Sequence, residues 1–189
     1  MKRVLLIGDS LRMGYCEEVK RLLADRAEVI YPGENCCSTQ FVWMRLLSWP
    51  NLCGTENISV VHFNCGQWDV SQFFDCGEPL TSLAEYEKNL RCIVKTLRKL
   101  FSNAVVIFAT TTPMNPRYPE SPHPRTTQDI IRYNDAAKRI MKEMNVGIND
   151  LFSVCEPWGE EYYIDYCHLT QKGYSILAER VAEFIKPYI

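Results

Sequence analysis

The chain begins with a short strand-like run. Residues 3–7 are apolar from Val4 onward with no alternation, the pattern of a strand covered on both faces. Over residues 11–27 apolar or small positions (Val19, Leu22, Leu23) return near helical spacing, with charges on the other face. Residues 28–31 read as a second strand, ended by Pro32-Gly33, and residues 39–49 as a compact apolar helix stopped by Pro50. "ISVVHF" at 58–63 is β-branched and aromatic, a third strand. Ser82-x-x-Glu85 matches a capping box, and Leu83, Tyr86, Leu90, Ile93, Val94 and Leu97 stripe the helix it opens. "AVVIFATT" at 104–111 predicts the fourth strand. Residues 112–126 hold five prolines, which excludes regular structure and predicts a surface loop. A helix over 127–144, a short strand over 146–148, a brief helix opening at 149–151 and a last helix over 170–186 complete the pattern.

Strands alternating with helices predict an α/β fold: a parallel sheet with helices on both faces. No repeat or linker interrupts it, so a single domain over 1–189 is expected. Ligands of such sheets sit at the carboxyl ends of the strands. Gly8-Asp9-Ser10, Asn64-Cys65-Gly66 and Thr110-Thr111-Thr112 all fall on that edge.

Composition narrows the function. The 189 residues are 47% hydrophobic and 23% charged, with a net charge of −2. A pI near 6.0 argues against a nucleic-acid partner, which calls for a basic stripe. Only four apolar residues, Val4 to Ile7, follow the basic start, too few for a signal peptide or a membrane span. A soluble, cytoplasmic protein with no membrane partner is therefore expected. The nine cysteines include no C-x-x-C pair, and Cys36 and Cys37 are adjacent, which suits free thiols in a reducing compartment rather than a metal knuckle. No metal site is expected.

Gly8-Asp9-Ser10 admits three readings: a helix cap at Ser10, a phosphate cradle, or a nucleophile at a strand end. The glycine patterns of phosphate loops are absent. A nucleophile needs a base, and the chain has three histidines. His62 lies inside a strand, as buried core histidines do. His123 sits in "SPHPR", either solvated or bordering a cleft. His168 follows Asp165 by three residues in "YIDYCHLTQKGY", a spacing that lets a carboxylate fix the imidazole tautomer. The plainer reading makes Asp165 a turn cap. Trp43 and Trp49 fall in an apolar helix and read as core, whereas Trp68 and Trp158 fall in loops near the candidate edge.

Four segments together carry a resemblance. "IGDSLRMGY", "YPGENCCST", "HFNCGQWD" and "IDYCHLTQKGY" resemble, in order and spacing, the four blocks of the GDSL, or SGNH, hydrolases, in the branch with an N-x-G-x-x-D third block. The resemblance implies a three-layer α/β/α, flavodoxin-like fold with a central parallel five-stranded sheet, no cofactor, and ester hydrolysis through an acyl-enzyme. It implies Ser10 as nucleophile, His168 as base and Asp165 as its partner. The oxyanion would be held by the Ser10 N–H, a second-block N–H and a third-block side chain. Two departures stand out. Cys36 or Cys37, with Cys37 favoured, occupies the place of the family glycine. Trp68 occupies that of the family asparagine, leaving Asn64, or else Gln67, as the donor. Asp9 is read as organising the loop, and Gly66, Gln67, Trp68 and Trp158 as candidates, with Asp9, for lining the substrate site. The expected activity is a serine esterase on short acyl esters, with O-acetyl carbohydrates leading. A thioesterase or lysophospholipase of the same fold is one alternative, and a non-catalytic carbohydrate-binding protein on this scaffold another. The expected partner is a small-molecule or carbohydrate ester, with oligomeric state open.

Overall fold

The computed structural model describes residues 1–49, 57–74, 76–117 and 123–189. Five strands, β1 (Lys2–Ile7), β2 (Ala27–Ile30), β3 (Ile58–Asn64), β4 (Val105–Ala109) and β5 (Gly147–Asn149), pair wholly in parallel in the order β2-β1-β3-β4-β5. This is a doubly wound order, in which the chain reverses direction across the sheet between β1 and β3. The fold class expected from the sequence is the one observed.

Helices cover both faces because every central strand is apolar on both. Leu5 and Ile7 face one layer, formed by α2 (Thr39–Arg45), α3 (Leu83–Leu100) and α4 (Thr127–Glu143). Val4 and Leu6 face the other, formed by α1 (Ser10–Leu22), the short α5 (Leu151–Cys155) and α6 (Gln171–Ile185). The Ser82–Glu85 capping box is present, and a second, Thr126 with Asp129, opens α4.

Several expectations are corrected. α1 stops at Leu22 rather than residue 27, because Ala27 is already paired with Lys2 in the sheet. α2 ends at Arg45, short of Trp49; Pro50 lies outside the described residues. Trp49 is core as expected, but Trp43 is exposed, since a seven-residue helix buries only the side carrying Val42. Charges do not all face outward on α1. Arg12 is fully buried, its guanidinium donating to Gly8 O and Glu34 O and satisfying two loop carbonyls. The start of the proline-rich segment is also buried. Thr112 to Asn115 run inward with their polar groups met by Gln67, Thr127 and Tyr166. Residues 118–122 lie outside the described residues.

Candidate active site

β1 delivers Gly8-Asp9-Ser10 to the carboxyl edge of the sheet. The cap of α1 is Asp9, not Ser10: Asp9 Oδ1 accepts the Leu11 N–H at 3.0 Å. Ser10 is thus the first helical residue, where a backbone N–H has no acceptor within its helix. Gly8 is required beside it, since a Cβ there would meet Asn64 Oδ1 at 1.9 Å.

A tight turn ahead of α6 carries the other two groups. Asp165 Oδ1 accepts the N–H groups of Cys167 and His168 at 2.8 and 2.7 Å. Asn115 clamps the turn from the proline-rich segment: its Nδ2 donates to Asp165 O at 2.9 Å, and its N–H to Tyr166 O at 2.8 Å. The remaining Asp165 oxygen, Oδ2, lies 2.7 Å from His168 Nδ1, and His168 Nε2 lies 2.8 Å from Ser10 Oγ. The structure therefore brings together Ser10, His168 and Asp165 across 155 residues or more of chain (the Ser10–His168 separation is 158). Partial burial raises the Asp165 pKa, but the Cys167 and His168 N–H groups and the imidazole outweigh it, and the net displacement is downward. Asp165 stays ionised, able to hold the tautomer with its proton on Nδ1 and leave Nε2 to accept from Ser10.

The expected oxyanion donors are arranged unequally. Cys37 has φ 45°, the left-handed region that glycine adopts at no cost, so the sequence departure preserves the backbone shape. Its N–H, however, donates to Asn35 Oδ1 at 2.9 Å, a bond it would exchange to serve an oxyanion. The Cys36 N–H is spent on Gly8 O at 3.1 Å. Gln67 is also committed, its Nε2 donating to Thr112 O at 2.9 Å and its Oε1 accepting from Arg125. Asn64, at the end of β3 beside Gly8, has its amide against the buried Asp9 carboxylate, and its Oδ1 accepts from none of the described residues.

Beneath the nucleophile the groups are structural. Burial raises the pKa of Asp9, against the Asn64 amide, the Leu11 N–H and the charges of Arg12 and Arg125. Asp69 takes the Thr39 N–H on both oxygens at 3.1 Å and the Thr39 hydroxyl at 2.5 Å, pinning the start of α2; burial pushes it up to about 6. Gly66 has φ 146°, and a Cβ there would meet Thr111 Oγ1 at 2.1 Å. His62 is buried, paired with Asn149 at 3.2 Å and held neutral by burial, its pKa down to about 3.

A pocket of about 110 Å³ opens beside Ser10 and His168, lined also by Asn35, Gln67, Trp68, Ser71, His123, Arg125, Tyr166 and Cys167. Of the expected lining residues, Gln67 and Trp68 are here. Asp9 and Gly66 are not, and Trp158 instead stacks on Tyr162. His123 borders the cleft, packed on Phe73 at 4.2 Å between ring centres. Ser71 and Arg125 carried no motif signal and were missed, and Asn35, though inside the second block, was given no role. A larger groove, about 770 Å³, lies at the opposite edge of the sheet among Lys2, Asn57, Ser59 and Ser102. Among the described residues no histidine lines it.

Asp165, Cys167 and His168 also offer ligand atoms within 4.8 Å of one another. They make a poor cation site. Burial pushes the Cys167 thiol up to about 12, and the Arg125 guanidinium donates to its sulfur. Among the described residues no helix is long and apolar enough to cross a membrane.

Residues 52–176 match the model of the GDSL-like lipase/acylhydrolase family, a span holding the third and fourth blocks. The chain belongs to this family of ester-bond hydrolases. It is 25% identical over 207 aligned positions to a GDSL esterase/lipase of Arabidopsis thaliana, covering 98% of this chain and 86% of the relative. It is 26% identical over 118 residues to the GDSL esterase/lipase WDL1 of Oryza sativa subsp. japonica, covering 57% of this chain and 45% of that relative. The chain thus spans less than half the length of the rice relative in that match. Among solved structures it is similar to the acetyl xylan esterase AlAXEase, with a TM-score of 0.79 at 19% identity over 97% of this chain and 99% of that one.

Proposed function

We propose that this protein is a serine esterase that removes short acyl groups, with O-acetylated carbohydrates as the substrate class. The observation that carries the reading is the run of contacts from Asp165 Oδ2 to His168 Nδ1 (2.7 Å) and from His168 Nε2 to Ser10 Oγ (2.8 Å). Ser10 Oγ attacks the ester carbonyl as its proton passes to His168 Nε2, and Asp165 stabilises the imidazolium. The tetrahedral oxyanion takes the Ser10 N–H and the Asn64 amide. Collapse breaks the ester C–O bond, and His168 returns the proton to the departing alcohol. Water, deprotonated by His168, then attacks the acyl-serine, releases the acid and restores Ser10. Asp9 acts by capping α1, Cys37 supplies a donor once Asn35 yields it, and no cofactor takes part.

The acyl preference rests on size. A pocket of about 110 Å³ beside Ser10 suits an acetyl group far better than a long chain. The acetyl xylan esterase among its structural relatives supports the carbohydrate class. Comparison of kcat/KM on 4-nitrophenyl acetate and 4-nitrophenyl octanoate tests the reading. We expect the acetate to be favoured by at least about tenfold, one to two kcal/mol of misfit for the longer chain. Preference for the octanoate would overturn it in favour of a lipase or thioesterase.

A further inference from the structure

Arg125 closes the proline-rich segment and lines the same pocket as Ser10 and His168. Its Nε donates to Gln67 Oε1 at 2.7 Å, and Nη1 to Ser71 Oγ at 2.8 Å and His123 O at 2.9 Å. Nη2 donates to Cys167 Sγ at 3.4 Å, and the guanidinium lies 5.3 Å over the Tyr166 ring. Every one of these acceptors is neutral. A guanidinium has five N–H groups; Gln67, Ser71 and His123 O take three, and among the described residues Nη2 has only the Cys167 thiol, a weak acceptor, and the neutral Tyr166 hydroxyl.

The described carboxylates near it are held by other groups. Asp165 holds His168 and its own turn, and Asp9 caps α1. Arg12 also has neutral acceptors, but it is fully buried against loop carbonyls and lines no part of this pocket, as a purely structural arginine would. Arg125 is only half-buried and, forming no ion pair among the described residues, presents its charge at the wall of the cleft. Its position is fixed on three sides, by Gln67, Ser71 and the Tyr166 ring, so little side-chain entropy remains to be lost when an anion binds.

We propose that Arg125 is a substrate-recognition residue that receives a carboxylate carried by the ester, so that the enzyme prefers acidic esters over neutral ones of the same shape. The proposal rests on the esterase reading of the same site and narrows it to acidic substrates, such as acetylated sugar acids. A carboxylate could enter from the alcohol side or the acyl side, and both would meet the same planar donor pair.

Two matched pairs separate these sources: 4-acetoxybenzoate against its methyl ester for the alcohol side, and mono-4-nitrophenyl succinate against 4-nitrophenyl butyrate for the acyl side. Spontaneous hydrolysis is subtracted throughout. The expected result is a kcat/KM ratio of about ten or more for the anionic member of one pair, mainly through KM, the scale of one charge-assisted hydrogen bond. In Arg125→Met that ratio should collapse towards one, whatever both esters lose in common, and Arg125→Lys should retain part of it. A neutral ester hydrolysed as well as its anionic partner, or a ratio unchanged in Arg125→Met, would overturn the proposal while leaving the esterase reading intact. No turnover of any of the four esters would overturn both.

Discussion

His168→Ala is expected to lower kcat/KM on 4-nitrophenyl acetate by about 10⁴-fold or more, the range seen when the base of a serine hydrolase is deleted. The size follows from the absence of a substitute. His123 borders the cleft but packs on Phe73, and it is His168 whose Nε2 lies 2.8 Å from Ser10 Oγ. His62 is buried and paired with Asn149. No other imidazole is available in the chain. The His168 side chain is 27% exposed, so its truncation should leave a solvent-filled notch rather than a core cavity, and the melting temperature should move by only a few degrees. Rate measurements on the folded variant decide the matter. A loss below about tenfold would mean that Ser10 is activated by something else.

Asn64→Ala carries the second large effect, a fall in kcat of about 10²- to 10³-fold with KM little changed, as for removal of one oxyanion donor. Asn64 is favoured by its place against Gly8: its amide faces the Asp9 carboxylate, and its competitors are engaged as well. Gln67 spends its amide on Thr112, Cys36 its N–H on Gly8, and Cys37 its N–H on Asn35. Asn64 sits at the end of β3 against Gly8, on the sheet side of the nucleophile. A Gln67→Ala variant should lose less kcat than Asn64→Ala. The reverse order in single-turnover acylation rates would transfer the role to Gln67.

The strands were legible because parallel strands covered on both faces must be apolar without interruption, as Val4 to Ile7 and Val106 to Ala109 are. The helices with two clear faces, α3 and α4, were legible for the same kind of reason. Short elements were read less well. α2 is apolar enough to predict one helix of eleven or so residues, but it runs for seven and a turn follows at 46–48, the apolar character past Arg45 marking burial of Leu46 and Trp49. The buried half of the proline-rich segment was missed because prolines forbid regular structure without requiring exposure. Its backbone groups are met by side chains far away in sequence, and pattern reading cannot see those.

At the site, Ser10, Asp165 and His168 were readable from short blocks because each block fixes local geometry: a strand end, and a three-residue Asp-to-His turn. Ser71 and Arg125 were not, because no local spacing distinguishes them, and within the second block nothing local marks Asn35. They matter only through contacts made after folding, such as Arg125 to Gln67 across 58 residues. Likewise Ser10 looked like a cap because serine favours that position, and Asp9, which favours it equally, took it.

Activation of the Ser10 nucleophile by His168 is open to a direct chemical test. Incubation with a fluorophosphonate, followed by intact-mass and peptide mapping, tests it without knowledge of the substrate. One adduct per chain is expected, on Ser10, absent in Ser10→Ala and slowed by orders of magnitude in His168→Ala. An unlabelled parent protein, an adduct on another residue, or a labelling rate indifferent to His168 would contradict it.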